Sequence, residues 1–534
     1  MGIKTLNVKD LGAAGDGVAD DTDAIVQVIN IAKGLGGATV YFPQGAYAVT
    51  EKVHTDPSPF DLTDCANLTF LGDGMGRSTI IILDGATIKE NFYLFHINRA
   101  KNITFRDLTI DGNCVKTNGR ECEKIIIIQP PDPEQKPEQI HGIQIYKSSN
   151  ILVERVEFSR HFSDGIRLLG EPGAESNNVK IDKCIFHDNG RAGITCQRAF
   201  QRTQITNNYF YNISGEAIGY EPSGQSPPIE NIVAGNIILH STKTRALTLS
   251  GISSQERNSR TIVTRNIIIN GGVQGIRVES ILFTNNIIIG SGFHPALHFP
   301  RAVTGLTISG NYIFSPEKEG IVLSRGGQEF FATDILISGN QIRTPKSGGI
   351  ELQSVDNTLV TDNKIIGGGI AYGVLLRNTT TPSTLMRNLS VHNNTIQNFT
   401  EGIRVAATEG DMESISILGN MFYDTQDVQT LTIGVSLHKA HSHKLTNIHV
   451  ANNTAGNSVT NAIVGLANVD FISVGGAVSS GPAVYMGASD KPDYPEGVVP
   501  APIGSLFLRT DDTAGSKFYV KESGDTGPTG WIQK

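Results

Sequence analysis

From about residue 141 to residue 440, apolar and polar residues alternate in short runs with a period of two, as in Asn178-Val-Lys-Ile-Asp-Lys-Cys-Ile-Phe186. That period belongs to strands that bury one face only. The runs repeat. A Gly or Ala followed by an aliphatic, a variable residue and another aliphatic recurs at Gly142, Gly165, Gly193, Ala217, Ala246, Gly275, Ala296, Gly320, Gly349, Gly373, Gly402 and Gly434. Between these lie β-branched runs carrying Asn208, Asn236, Asn266, Asn286, Asn311, Asn340, Asn363, Asn394, Asn420 and Asn453. The spacing of about 20 to 33 residues fits one supersecondary turn per unit with a loop of variable length. A strand-only unit stacked a dozen times predicts an all-β fold, a single-stranded parallel β-helix. The asparagines are expected to stack at a tight turn, hydrogen-bonding along a column and tolerating left-handed backbone angles.

The ends break the pattern. Asp20 to Asp23 offer capping carboxylates to a helix with an apolar stripe of Ile25, Val28, Ile29 and Ala32 that ends near Gly34. Such a helix would cover the open end of the solenoid. Residues 479–503 are rich in Pro, Gly and Ser and read as an extended linker. Two short alternating strands around Asp512–Gly515 read as a hairpin within 504–534. The expected division is a cap over 1–50, a β-helix over 51–478, the linker, and a small C-terminal module. The long insertion at 113–140 is expected to fold over the groove as one wall.

Composition narrows the function classes. A net charge of −8 argues against a nucleic-acid partner, which requires a basic face. No apolar stretch approaches transmembrane length, and Met1-Gly-Ile-Lys-Thr-Leu has no apolar segment of a classical secretion signal. Five cysteines do not make a disulfide framework. Cys184 and Cys196 fall at inward positions and read as core; a Cys114–Cys122 bridge is left open.

The segment Asp10-Leu-Gly-Ala-Ala-Gly-Asp-Gly-Val-Ala-Asp-Asp-Thr resembles the opening motif of the pectate-lyase-like superfamily of right-handed β-helices, and the coil pattern extends the likeness to about residue 475. The superfamily holds polysaccharide lyases, glycoside hydrolases, uronan epimerases and phage tailspike depolymerases. Gly504-Ser-Leu-Phe-Leu-Arg-Thr-Asp with Tyr519-Val-Lys-Glu-Ser-Gly resembles a module at the ends of phage tail proteins. The resemblance implies a right-handed helix, a polysaccharide substrate such as a bacterial surface glycan, a homotrimer, other phage tail proteins as partners, and a place on a virion tail or outside the cell. It implies no membrane insertion. In this reading Asp16, Asp20 and Asp21 have capping and turn roles.

Successive coils stack about 4.8 Å apart, so outward positions can be read as columns. One runs His141, Asp164, Ala192, Glu216, Arg245, Gln274, Pro295, Glu319; a second runs Gln144, Arg167, Thr195, Gly219, Thr248, Arg277, His298; a third runs Tyr146, Leu169, Gln197, Glu221, Ser250, Glu279. Glycosidic cleavage needs a general acid and a second carboxylate. Asp164 with Glu216, and Glu221 with Glu279, each stand two turns apart, roughly 9–10 Å, a span that suits an inverting hydrolase. These four are the candidate catalytic residues. Arg167, Arg191, Arg245, Arg277 and His298 are candidates to hold the carboxylates or an acidic sugar. Later turns, with Val322, Ser324, Glu351 and Leu375, look blander. No metal site or cofactor is expected: His294 and His298 sit on a strand, where four-residue spacing does not face one ion. Tyr220 reads as core. Neither the paired Asp with Gly-His-Gly of polygalacturonases nor the Asp-Pro-His-Glu run of alginate epimerases is found in these coils. A non-catalytic receptor-binding spike and a uronate lyase or epimerase remain the alternatives.

Overall fold

The computed structural model describes residues 4–51, 58–89, 91–115, 122–127, 140–222, 226–239, 245–253, 255–324, 332–378, 385–425, 430–440 and 442–456. Beyond these it describes 459, 461–464, 472–474, 484–487, 495–496, 506–509, 517–524 and 529–534. The chain divides into two units, Met1–Gly292 and Phe293–Lys534. Each is a stack of parallel strands in the form of a β-helix.

In the first unit the stack begins under a helix, Thr22–Gly34, whose buried face is Thr22, Ile25, Val28, Ile29 and Ala32. Asp21 is its N-cap position, and Asp20, just before it, accepts from the Thr22 amide at 3.0 Å. Asp21, buried, accepts from the Ala14 and Gly15 amides, and Asp16 closes a turn on Val18 and Ala19. The acidic run is therefore structural.

Each full turn contributes three short strands. One sheet holds Ile166–Leu169, Ile194–Cys196 and Ile218–Tyr220 in parallel register, with Ile166, Ile194 and Ile218 aligned and followed by Leu247. A second holds Gln204–Thr206, Ile232–Ala234, Ile262–Thr264 and Leu282–Thr284. A third holds Ile185–His187, Tyr209–Tyr211, Ile237–Leu239, Ile267–Ile269 and Ile287–Ile289. Aligned inward rings stack along the axis: Phe158, Phe186 and Phe210 lie 4.9 and 4.8 Å apart, the rise of one turn. The small residue of the repeat is explained at Gly193, where a Cβ would meet the Ala217 carbonyl oxygen of the next turn at 2.7 Å.

The asparagines form a ladder. Asn236 accepts at Oδ1 from the backbone amide and side-chain amide of Asn208, Asn266 does the same for Asn236, and so in turn does Asn286 for Asn266. In the second unit the same pattern runs from Asn311 through Asn340, Asn363, Asn394 and Asn420 to Asn453. The left-handed angle falls one residue earlier than expected, at Asn207, Gly235, Arg265 and Asn285. A different column, Asn67, Asn102, Asn150 and Asn178, carries positive φ on the asparagines themselves and hydrogen-bonds side chain to side chain.

Cys184 and Cys196 are buried free thiols, as is Cys65, and Cys114 bonds Cys122. Tyr220 is fully buried against Phe200. Most of the 113–140 insertion, and with it the expected groove wall, lies outside the described residues; Ile126–Ile127 pairs with Thr87–Ile88. The predicted C-terminal hairpin is seen as Leu506–Arg509 antiparallel to Lys517–Lys521, with a third strand at Trp531–Gln533. Phe507, Tyr519 and Trp531 form its buried cluster. The turn of that hairpin and most of 479–503 lie outside the described residues.

Candidate functional site

The register of the first sheet aligns Ile166, Ile194, Ile218 and Leu247, so counting back two residues stacks Asp164, Ala192, Glu216 and Arg245 at the start of successive strands. One position after the aligned aliphatics, Gln144, Arg167, Thr195, Gly219, Thr248 and Gln274 line up along the outward face. The expected columns hold this far. They fail at the last turn of this unit, because Thr248 pairs with Gln274 and Leu249 with Gly275. Gly275 is thus a mid-strand residue, and the repeat slips. Arg277, at φ +55°, turns away and donates to the Ile252 carbonyl, while Glu279 is exposed beside Ser259. Neither joins the others. His298 lies in the second unit, where it contacts Ser324 Oγ at 2.9 Å.

Asp164 is fully buried. The Arg191 guanidinium grips both its oxygens at 2.8 and 2.7 Å, the Ala192 amide donates to it, and His141 Nδ1 lies 3.3 Å away. Burial opposes its ionisation, but His141 and Arg191 outweigh it and hold the carboxyl far below the usual range. Burial keeps His141 neutral despite this neighbour. Asp164 is therefore an anchored anion, out of reach of a water or a glycosidic oxygen. The expected pairing of Asp164 with Glu216 as acid and base does not follow from this arrangement.

Glu216 is the opposite case. Burial pushes its carboxyl up to about 7; the Thr248 hydroxyl at 2.5 Å, Arg245 and Arg191 pull it down, and the charge of Glu221 pushes it further up. Its second oxygen, Oε2, is buried without a hydrogen-bond partner among the described residues. That oxygen occupies the space above Gly219: a Cβ there would stand 2.7 Å from Oε2 and 3.8 Å from Glu221 Cγ. Glycine at 219 thus creates the recess into which both glutamates lean. Glu221 itself is exposed.

Around this pair sit cations. Arg245 Nε is buried and has no hydrogen-bond partner among the described residues. Arg167 donates to Gln197 Oε1 at 3.0 and 2.7 Å and hydrogen-bonds Tyr93, whose ring stacks on His141. Tyr93 comes from an earlier turn, so column counting within the repeat missed it. Among the described residues no group of three or more His, Cys, Asp or Glu could hold a metal ion.

In the second unit, the turns expected to be bland hold a buried carboxylate. Glu351 accepts from Tyr372 Oη at 2.6 Å, from Gln353 Nε2 at 2.5 Å and from Arg377 at 3.1 Å. Tyr372 reaches it because Gly348 leaves room for the ring. One turn earlier, burial raises the Glu319 carboxyl.

Residues 5–236 match the family model described as rhamnogalacturonase A/epimerase, pectate lyase-like, and residues 299–470 match the right-handed β-helix region. Alginate lyase 7 of Azotobacter vinelandii is 35% identical over 209 residues, 39% of this chain and 22% of that protein. Plasmin and fibronectin-binding protein A of Streptococcus pneumoniae is 25% identical over 404 residues, 60% of this chain and 55% of that protein. The pre-mature bacteriophage phi29 gene product 12 is 12% identical with a TM-score of 0.47, covering 98% of this chain and 81% of its own. The chain thus spans about a fifth of the alginate lyase and about half of the streptococcal protein. With a parallel strand ladder in each unit, the chain has a right-handed β-helix fold whose first part, residues 5–236, carries the pectate-lyase-like match.

Proposed function

We propose that this protein binds a polysaccharide along the outward face of its first unit and hydrolyses it, with Glu216 as general acid and Glu221 as the second carboxylate. The observation that carries the reading is the recess at Gly219, where a glutamic acid held near neutral pKa and an exposed glutamate converge. A carboxyl that keeps its proton to near neutrality beside a second, exposed carboxyl group is what acid-assisted glycosidic cleavage needs. Glu216 gives its proton to the leaving oxygen. Glu221 stabilises the oxocarbenium-like transition state as nucleophile or as base for water. Arg245 and Arg167 suit an anionic sugar, and Asp164 keeps Arg191 beside Glu216. The finer expectations of a surface glycan as substrate, a homotrimer, phage tail partners and a place outside the cell belong to this proposal, as does the absence of any cofactor.

A second reading has one observation in its favour. Tyr93, hydrogen-bonded to Arg167, offers a phenol beside a cation, the pairing that proton abstraction next to a uronate carboxylate requires. A relative named as an alginate lyase supports it, whereas the missing Asp-Pro-His-Glu run counts against the epimerase variant.

Incubation with capsular, lipopolysaccharide and uronate polysaccharides, following reducing ends and unsaturated-uronate absorbance together, tests both. Reducing ends without absorbance, abolished by Glu216→Gln, support hydrolysis. Absorbance that survives Glu216→Gln and disappears in Tyr93→Phe replaces it with elimination. Binding with neither signal leaves a receptor-binding spike.

A further inference from the structure

The outward face of the second unit carries two buried carboxylates that its fold does not require. The register aligns Val322, Glu351, Leu375, Arg404 and Ser436 in one outward column. The column beside it holds Gln353, Arg377, Ala406 and His438. Val322 and Leu375 stand one turn either side of Glu351 and are each 5% exposed, so apolar side chains fit this column. A buried ion pair generally stabilises a fold no better than apolar residues of similar volume. Glu351, and Glu401 three residues before Arg404, are acids all the same, and both are buried.

What the two acids do is hold arginines. Glu351 accepts from Arg377 at 3.1 Å, and Tyr372 and Gln353 donate to it as well. Glu401 accepts from two nitrogens of Arg404 at 2.9 and 2.5 Å and from the Ser436 hydroxyl. Each guanidinium is fixed by its carboxylate and still open to solvent, the Arg377 and Arg404 side chains being 39% and 38% exposed. The two are diagonal neighbours on successive turns, about 8 Å apart along the backbone grid. Ala406, paired with Arg377 on one side and His438 on the other, puts only a methyl group between them. Arg377 Nε and His438 Nε2 are buried without a hydrogen-bond partner among the described residues. Such orphaned atoms cost the fold stability, and a ligand oxygen that pairs with them removes the cost.

The charge balance narrows the ligand. Each arginine is matched by its own glutamate, so the cluster offers oriented N–H donors with little net positive charge, a poor match for a dianion. A single planar carboxylate takes paired donors from guanidinium edges. Around the arginines the outward positions of Val322, Glu351, Leu375 and Ser436 are sunk to 6% exposure or less. They floor a groove that crosses successive turns, which suits an extended chain.

We propose that Arg377 and Arg404, positioned by Glu351 and Glu401, form a second saccharide site, separate from the Glu216 recess, that binds the carboxylate of an acidic sugar unit. The proposal rests on the reading that this chain binds a polysaccharide and extends it to the second unit, where it assigns binding without cleavage.

The test is titration calorimetry of the full chain carrying Glu216→Gln, with alginate and galacturonate hexasaccharides and with their carboxyl-reduced neutral forms. The expected result is two binding events per chain for an acidic hexasaccharide. Arg377→Gln should weaken one of them by about tenfold or more, and Arg245→Gln the other. Arg404→Gln/Glu401→Gln, which leaves no buried unpaired acid, should match Arg377→Gln with unchanged circular dichroism. Glu351→Gln, which keeps both arginines, should weaken the same event severalfold. A single event that Arg377→Gln abolishes and Arg245→Gln leaves intact supports this site and removes the first-unit one. A single event that Arg245→Gln abolishes and Arg377→Gln leaves intact overturns this proposal while the first-unit reading stands. Binding of no saccharide overturns both. Equal affinity for the carboxyl-reduced sugars at the Arg377-dependent event, or tighter binding of a pentaglutamate peptide there, also overturns it.

Discussion

Replacing Asn266 by Ala should destabilise the first unit by about 3–5 kcal/mol. The side chain accepts at Oδ1 from the Asn236 backbone amide at 3.0 Å and from Asn236 Nδ2 at 2.9 Å. Its own Nδ2 donates to the Val233 carbonyl at 2.9 Å and to Asn286 Oδ1 at 2.9 Å. Truncation leaves the Asn236 backbone amide without an acceptor and the Val233 carbonyl without this donor, both in the interior. Asn236 Nδ2 keeps the Ile205 carbonyl, and the Asn266 backbone amide keeps Asn286 Oδ1. An orphaned buried polar group costs about 1–3 kcal/mol. One such orphaned amide, the second donor lost at the Val233 carbonyl and the void left by the side chain together reach the stated range. Because a solenoid is stabilised between neighbours, the damage should be local. Urea denaturation followed by circular dichroism gives the total, and amide exchange of peptides around 232–239 and 262–269 gives the location. A loss under about 1 kcal/mol, or undiminished protection of the Asn236 amide, would refute the ladder as a stabilising element.

Gly219→Ala should cut turnover by about a hundredfold while leaving the melting temperature nearly unchanged, because the added methyl displaces Glu216 Oε2; normal turnover would remove Glu216 from the mechanism. Arg191→Met should destabilise by about 3 kcal/mol, since it takes the guanidinium from the buried Asp164 anion and leaves it only His141 and the Ala192 amide; adding Asp164→Asn should restore much of the loss, measured by the same denaturation. Burial pushes His161 down to about 4, below its unfolded value near 6.5. Its share of stability is therefore complete above about 6.5 and declines as pH falls towards 4, by about 3 kcal/mol in all. His161→Gln should flatten that part of the stability–pH curve, and an unaltered slope would contradict the assignment.

The sequence made the solenoid legible because its two signals are redundant over a dozen turns: the small residue is set by the next turn's carbonyl, and the asparagine by the ladder. The helix over 22–34 was equally plain from Ile25, Val28, Ile29 and Ala32. The site was legible only in part. Column counting placed Asp164, Arg167, Glu216 and Arg245 together because those turns share one register. It misplaced Arg277 and Glu279 because Gly272 and Gly275 offer two competing starts for one strand, and the backbone takes the one that pairs Thr248 with Gln274. It also treated Asp164 and Glu216 as alike. Burial and partners, which separate an anchored anion from a carboxyl held near neutrality, are properties of packing and are invisible in a column of letters. Tyr372 on Glu351 was missed for a related reason, since the contact depends on the space left by Gly348 one turn away.

The central claim is that Glu216 keeps its proton to about neutral pH because it is buried in a recess, with the charge of Glu221 beside it adding to that effect. Isotope-edited infrared difference spectra between the wild type and Glu216→Gln follow that carboxyl directly. The account predicts a protonated carboxyl band that disappears with a midpoint at about 7, and a lower midpoint in the Glu221→Gln background. A carboxyl that titrates in the ordinary range near 4.3 would contradict it.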